Sequence, residues 1–287
     1  MALYTIIITG SLVRLTGSGL GCVDWPQCSD TKLIDVSSTH AAIEQLNRLF
    51  TGVVAVAVIV CVLFAFKLQP KRRDLIGMSI MLVIGVLAQV IIGAVVVLTG
   101  LNPFSNIAHF LVSVFLMSVA YMLVQHAKIS RTTAEVVPRG EPLIKDVVVI
   151  RLVKLLVLAT GLAIITGTIV TGSGPHAGDL EAPRLNIALS TIVKVHSSTV
   201  WVAMISALVL ALTIRRKRDL AVILQKSLGR YLFVLVFQGV IGYAQYFLGV
   251  PVKLVAVHVA VSVLVWLCAL DIYWNSRLSA LPQSVLD

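Results

Sequence analysis

The sequence predicts an all-α polytopic membrane protein whose eight transmembrane helices form two pseudo-symmetric four-helix bundles. Of its 287 residues, 58% are hydrophobic and only 13% are charged, whereas soluble domains are roughly 45–50% apolar and about 25% charged. About 20 apolar residues cross a bilayer as a helix, so the apolar content is enough for roughly eight spans. An internal repeat and a one-sided distribution of basic residues support the same architecture. The composition excludes a water-soluble enzyme, a disordered chain and a small disulfide scaffold.

Eight apolar runs mark the predicted spans, and each is expected to be helical because lipid offers no hydrogen-bond partner to an open strand. The first run is short and contains Gly10 and Arg14, so we expect either a short tilted span or a chain start upstream of Met1. It lacks a basic region and a cleavage motif, which argues against a removable signal peptide. The runs are 2–16, 46–66, 75–99, 104–125, 148–171, 187–214, 229–249 and 251–273.

A repeat divides the chain into two halves. At an offset of 149 residues, matching residue types coincide in corresponding spans: Gln89 with Gln238, Gly93 with Gly242, Gly100 with Gly249, and His109 with His258. We therefore predict an N-terminal half at 1–125, a cytoplasmic linker at 126–147 and a C-terminal half at 148–287. The two halves are expected to have the same orientation in the membrane.

The basic residues lie mainly on one side of the predicted membrane. Of the 23 Lys and Arg residues, 17 fall at 67–73, 128–154, 215–230 and Arg277, which are alternate connections and the end of the last span. Cytoplasmic loops carry such an excess, so both termini are expected in the cytoplasm. The net charge of +10 is thus explained without nucleic acid. The absence of a transit peptide favours a prokaryotic plasma membrane.

Three histidines lie at similar depths inside predicted helices. Counted from the outer ends of their spans, His109, His196 and His258 are roughly 8–14 Å inside the boundary at about 1.5 Å per residue. Haem iron commonly takes axial histidine nitrogens, and helix bundles build cofactor sites from side chains on facing helices. Any one of them would also be explained by a hydrogen bond to a neighbouring helix. Because two share one half and the third repeats the position of His258, we predict haem ligands.

Glu44 lies at the start of the second predicted span, with His40 and Arg48 four residues to either side. These three residues share one helix face, and Asn47 points to nearly the same side, at the position that matches His196. One interpretation is a carboxylate stabilised near a helix N-terminus and paired with Arg48. The other is a carboxylate in a partly dry pocket that serves proton transfer.

Cys22 and Cys28 lie in the first outer loop with five residues between them. On the oxidising side of a membrane, this spacing indicates a small disulfide loop. A metal site is the weaker interpretation, because no second cysteine pair accompanies them. Cys61 and Cys268 lie within spans and are expected to pack there.

An extended motif precedes the cysteine pair: Leu12–Cys22 reads LVRLTGSGLGC and is followed by Trp25-Pro26. With the cysteines, the Glu44 segment and the three histidines in this order, the chain resembles the haem A synthase family over nearly its whole length. The resemblance implies an oxidoreductase with two four-helix halves. Its C-terminal half would hold haem B, with His196 and His258 as axial ligands of the iron.

For the N-terminal half, the resemblance implies a site for haem O as the substrate. There a ring methyl group would be oxidised to a formyl group, giving haem A for terminal oxidases. Glu44 is the implied catalytic residue, and His109, Asn47 and Arg48 are the implied substrate-site residues, with His109 on the haem O iron. The cysteine pair would form a disulfide near the substrate.

Two features depart from the family pattern. Many members have a histidine where this chain has Asn47, and asparagine is a poor haem ligand. We therefore expect His109 to be the one strong protein ligand of the substrate iron. Some members also have a second cysteine pair after the fifth span, which this chain lacks.

Two other classes of membrane protein compete with this interpretation. A non-catalytic di-haem cytochrome that passes electrons to a quinone or a partner protein would explain the histidines, but not Glu44 beside Asn47. A transporter fits less well, because inverted repeats are typical of that class and the repeat here is parallel. The resemblance leaves open contacts with haem O synthase and cytochrome oxidase assembly factors, and self-association as a homo-oligomer. Contact with membrane lipid is expected.

Overall fold

The computed structural model describes residues 1–128 and 144–277, and the regular secondary structure of these residues is helical. Residues 129–143 of the predicted linker lie outside the described residues. The described helices are α1 (Ala2–Leu15), α2 (Thr39–Lys67), α3 (Arg73–Leu98), α4 (Pro103–Lys128), α5 (Val147–Ser173), α6 (Leu189–Arg215), α7 (Arg218–Phe247) and α8 (Val252–Arg277).

Seven of these helices, α2 to α8, are long and apolar enough to cross a bilayer. Their outer faces expose large apolar side chains such as Leu63, Leu87, Leu158 and Phe233, as expected of surfaces that contact lipid. Helix α1 has 14 residues and is about 21 Å long at about 1.5 Å per residue, less than the hydrocarbon thickness of about 30 Å. The chain is therefore a multi-pass membrane protein in which α1 is a short apolar helix.

Helix α7 is longer than the sequence pattern predicted. It begins at Arg218, whereas the apolar run was placed at 229–249. Leu224, Leu228 and Tyr231 are buried at a spacing of four and three residues, which is the apolar stripe of an amphipathic helix. The prediction from continuous apolar sequence missed this extension because polar residues occupy its opposite face.

Each half is held together by contacts between neighbouring helices, and the halves meet through α1, α4, α5 and α8. Tyr4 of α1 donates a hydrogen bond to the carbonyl oxygen of Ala260 at 3.1 Å. Trp266 of α8 donates to the hydroxyl of Ser118 on α4 at 2.7 Å. Side chains of both halves thus interlock along the junction.

The turn before α4 recurs before α8. Gly100 and Leu101 have φ angles of 62° and 63°, and Gly249 and Val250 have 76° and 61°. A β-branched residue rarely adopts such a left-handed conformation, so the coincidence at the repeat offset is informative. The shared turn places the histidine of each following helix equally far from the turn.

Candidate functional site

Two histidines face each other in the C-terminal half. The rings of His196 on α6 and His258 on α8 have centres 6.4 Å apart and planes at 74° to each other. Two imidazoles that bind one metal ion from opposite sides place their ring centres about 6 Å apart, since each nitrogen lies about 2 Å from the metal. The arrangement therefore fits a group whose iron takes an axial imidazole on each side.

Glycines on the neighbouring helices let these rings pack closely. A Cβ atom added to Gly167 of α5 would lie 3.1 Å from Cε1 of His196, and one added to Gly242 of α7 would lie 3.1 Å from Cε1 of His258. The hydroxyl of Thr166 lies 3.2 Å from Nδ1 of His196. Nδ1 of His258 is buried without a hydrogen-bond partner among the described residues. Helix backbones thus fix both ring positions.

The N-terminal half repeats this packing with one exchange. A Cβ atom added to Gly93 of α3 would lie 3.4 Å from Cε1 of His109 on α4, and one added to Gly10 of α1 would lie 3.8 Å from Nδ2 of Asn47 on α2. Nδ1 of His109 and Oδ1 of Asn47 are buried without partners within the described ranges. Asparagine therefore occupies the place against α1 that His196 occupies against α5.

Two glutamines support the matching histidine positions. The side-chain amide of Gln89 donates to the backbone carbonyl of His109, and that of Gln238 donates to the carbonyl of His258, both at 2.9 Å. The sequence repeat aligns these glutamines, but it does not show their role, because the acceptor is a backbone atom. Their bonds tie α3 to α4 and α7 to α8 beside each histidine.

Glu44 is enclosed at the end of α2 that carries the first loop. The hydroxyl of Ser38 accepts from the backbone N–H of Ala41 at 3.1 Å and begins α2 at Thr39, which places Glu44 in the second turn, slightly deeper than predicted. Glu44 is 5% exposed. Its Oε2 accepts from the backbone N–H of Cys22 at 2.7 Å, and its Oε1 accepts from Nε and Nη2 of Arg48 at 3.0 and 2.6 Å.

Arg48 binds the loop as well as the carboxylate. Its guanidinium donates to the backbone carbonyls of Cys22, Asp24 and Gln27 at 3.3, 3.1 and 3.3 Å. Cys22 and Cys28 form a disulfide, and both are buried. The predicted disulfide is thus confirmed, and together with Arg48 it holds the loop against Glu44.

The structure separates two groups of residues that the sequence placed together. His40, Glu44 and Arg48 share the predicted helix face, which lies against the first loop, where Nδ1 of His40 is 2.9 Å from the hydroxyl of Ser18. Asn47 packs toward α1 instead. No hydrogen bond joins Glu44 to Asn47 in the part of the chain that the structure describes, so any joint role depends on what binds between them.

Cys22 and Cys28 are expected to label only after reduction. Since both sulfurs are buried, the protein is unfolded before alkylation. Only the disulfide bond, and not burial, then prevents the two cysteines from reacting. Without reductant, Cys61 and Cys268 should be modified, and with reductant all four cysteines. Peptide mass spectrometry assigns the sites. Labelling of Cys22 and Cys28 without reductant would contradict the disulfide.

The fold and the site define a multi-pass helical membrane protein that has facing histidines in one half, and in the other half a histidine in α4 with a buried ring nitrogen and an enclosed glutamate in α2. A family profile described as COX15-CtaA, cytochrome oxidase assembly protein, matches residues 1–270. The chain therefore belongs to the COX15-CtaA family.

Bacterial relatives carry the name heme A synthase. The chain is 30% identical to that of Geobacillus thermodenitrificans over 138 residues, covering 48% of this chain and 43% of the relative. It is 34% identical to that of Geobacillus kaustophilus over 123 residues, covering 42% and 38%. It is 29% identical to that of Lysinibacillus sphaericus over 124 residues, covering 43% and 40%. The matched segments span less than half the length of each relative.

Proposed function

We propose that the chain is a haem A synthase, an oxidoreductase that converts a ring methyl group of haem O to a formyl group. The observation that carries the proposal is the enclosure of Glu44 by Arg48 and the disulfide loop, in the half where Asn47 replaces one histidine of the facing pair. Oxidation of a methyl group needs a proton acceptor at the substrate site, whereas electron transfer alone does not. Family membership and the names of the relatives support the same activity.

In the C-terminal half, we propose that His196 and His258 hold haem B. This group supplies one-electron transfer when it is bound. A haem held by both histidines would suit electron transfer rather than chemistry on a substrate. Gly167 and Thr166 beside His196, and Gly242 and Gln238 beside His258, keep the two rings in place.

In the N-terminal half, we propose that haem O binds as the substrate, with His109 on its iron. Asn47 leaves the opposite face without a strong protein ligand. With water as the oxygen donor, the conversion is R–CH3 + H2O → R–CHO + 4 H+ + 4 e−. An external acceptor takes the electrons, and the site needs a group that accepts the protons. Glu44 accepts a proton on its carboxylate, and Arg48 and the backbone N–H of Cys22 keep that carboxylate in position.

We also propose that the halves at 1–125 and 148–287 are pseudo-symmetric bundles in the plasma membrane of a prokaryote, with both termini cytoplasmic. The repeated turn and the repeated packing of glycine against histidine or asparagine support the symmetry. The distribution of Lys and Arg supports the orientation. In this orientation the disulfide loop faces the oxidising side.

Chemical identification of the bound haems tests the proposed function. Protein purified from cells that make haem O should contain haem B together with haem O or haem A, because the two halves hold different porphyrins. The haems are extracted, separated and identified by mass. Haem B alone would favour the non-catalytic di-haem cytochrome, and protein without haem would favour a transporter.

A further inference from the structure

Two arginines from different halves meet at the end of the molecule that carries the disulfide loop. Arg14 lies in the last turn of α1, and Arg184 lies in the connection between α5 and α6. Arg14 donates to the backbone carbonyl of His176, and Arg184 donates to that of Pro175 at 2.8 Å. The two guanidinium groups thus bind consecutive carbonyls of one loop.

The loop that contains Pro175 and His176, whose carbonyls accept from the two arginines, is bound to both halves. The backbone N–H of Gly19 donates to the carbonyl of Gly178 at 2.9 Å. Nε2 of His176 lies 2.7 Å from the carbonyl oxygen of Val250, in the turn before α8. Because this segment is tied to the end of α1 and to the start of α8, the approach of the arginines is a feature of the fold.

The positive charges of this pair are not matched within the described residues. The acidic residues of the same loop, Asp179 and Glu181, form no ion pair with either arginine; Asp179 instead accepts from the backbone N–H of Glu181. Nη1 of Arg184 is buried without a hydrogen-bond partner. A buried charged donor left unpaired costs free energy, and a bound anion would remove that cost.

The position of Arg14 indicates which anion the two arginines bind. Arg14 lies four residues after Gly10 and therefore on the same face of α1, about 6 Å further along the axis at about 1.5 Å per residue. Gly10 packs against Asn47, so this face borders the proposed substrate site. Every haem carries propionate carboxylates, and guanidinium groups bind carboxylates through paired hydrogen bonds.

We propose that Arg14 and Arg184 together bind a propionate of the substrate haem O and so fix its position at the junction of the halves. The inference rests on the proposed function and deepens it by naming the groups that bind the acidic edge of the substrate. Arg48, by contrast, is already paired with Glu44. Because the arginines come from both halves, substrate binding also joins the halves at this end.

Titration of the purified, haem B-loaded protein with haem O and with its dimethyl ester tests the proposal, because the ester lacks the carboxylate charge. The unmodified protein should bind haem O more tightly than the ester. Arg14→Gln and Arg184→Gln should each weaken binding of haem O by about tenfold or more, the usual effect of losing one charged hydrogen bond. Binding of the ester should change little, and Arg14→Lys should keep part of the preference.

Lys253→Gln, at the exposed start of α8, removes a charge at the same end of the molecule and serves as the matched control; it should leave both affinities unchanged. An intact b-type spectrum in each variant reports a correctly folded C-terminal half. Equal affinity of the unmodified protein for acid and ester, or equal weakening of both in the variants, would overturn the propionate site. Loss of haem B from the Arg14 or Arg184 variants, with unchanged affinity for haem O, would also overturn the propionate site. Failure of the unmodified protein to bind haem O or its ester would overturn the proposed function as well.

Discussion

Replacing His196 or His258 with Ala is expected to abolish the low-spin b-type haem spectrum while the protein remains inserted in the membrane. The centres of the two rings are 6.4 Å apart, and each ring packs against a glycine of a neighbouring helix. Removal of either ring leaves the iron with one axial ligand, which changes its spin state and weakens its retention. Absorption spectra of the reduced protein and the haem B content per chain provide the measurement.

His109→Ala is the matched control, because His109 occupies the position of His258 in the other half. It should preserve the b-type spectrum and impair binding of haem O.

Added imidazole, which is small enough to replace the missing ring, should restore part of the low-spin signal in His196→Ala. An unchanged spectrum in both C-terminal variants would show that these histidines are not the axial ligands.

The sequence predicted those features that depend on local composition. Spans α2 to α8 follow from apolar content, and the disulfide followed from two cysteines in one outer loop. The ion pair of Glu44 with Arg48 followed from their spacing of four residues on a helix. In each case the interacting groups are close in the sequence, so the pattern contains the information.

Contacts between distant segments left weaker signals. Gly10 and Gly167 play equivalent roles against Asn47 and His196, but they are separated by 157 residues, whereas the repeat offset in the following spans is 149. A shift by one fixed offset therefore does not align them. The approach of Arg14, in the last turn of α1, to Arg184, in the connection between α5 and α6, also joins distant segments. A guanidinium bound to a backbone carbonyl leaves no complementary side chain that the sequence could reveal.

Replacing Glu44 with Ala or Gln is expected to lower turnover of haem O by about 10²–10⁴, the usual effect of losing one acid–base group. The C-terminal haem should stay bound, because Glu44 lies in the other half. Haem O or a partly oxidised product should accumulate, since proton removal accompanies each oxidation. Extracted haems are quantified over time and compared with the b-type spectrum of the same sample.

Arg48→Gln is the control that separates proton transfer from structure. It breaks the same ion pair and releases the loop carbonyls, but it leaves the carboxylate of Glu44 and its bond from the Cys22 N–H. Glu44→Gln keeps the contacts but removes the proton acceptor. Its amide oxygen still accepts from the Cys22 N–H, but an amide does not take up a proton at neutral pH. If Glu44 only holds the loop, Arg48→Gln should be at least as damaging as Glu44→Gln.

If Glu44 accepts protons, Glu44→Gln should be the more damaging variant, and its activity should not recover at higher pH, since the amide has no proton to lose. Arg48→Gln should instead retain measurable turnover, because the carboxylate of Glu44 is still present. The pH profile of this variant should be displaced, because that carboxylate has lost a neighbouring positive charge that favours its ionised form. The activity of Arg48→Gln should therefore rise toward higher pH. Normal production of haem A by Glu44→Gln would make Glu44 a structural residue and leave proton removal to another group.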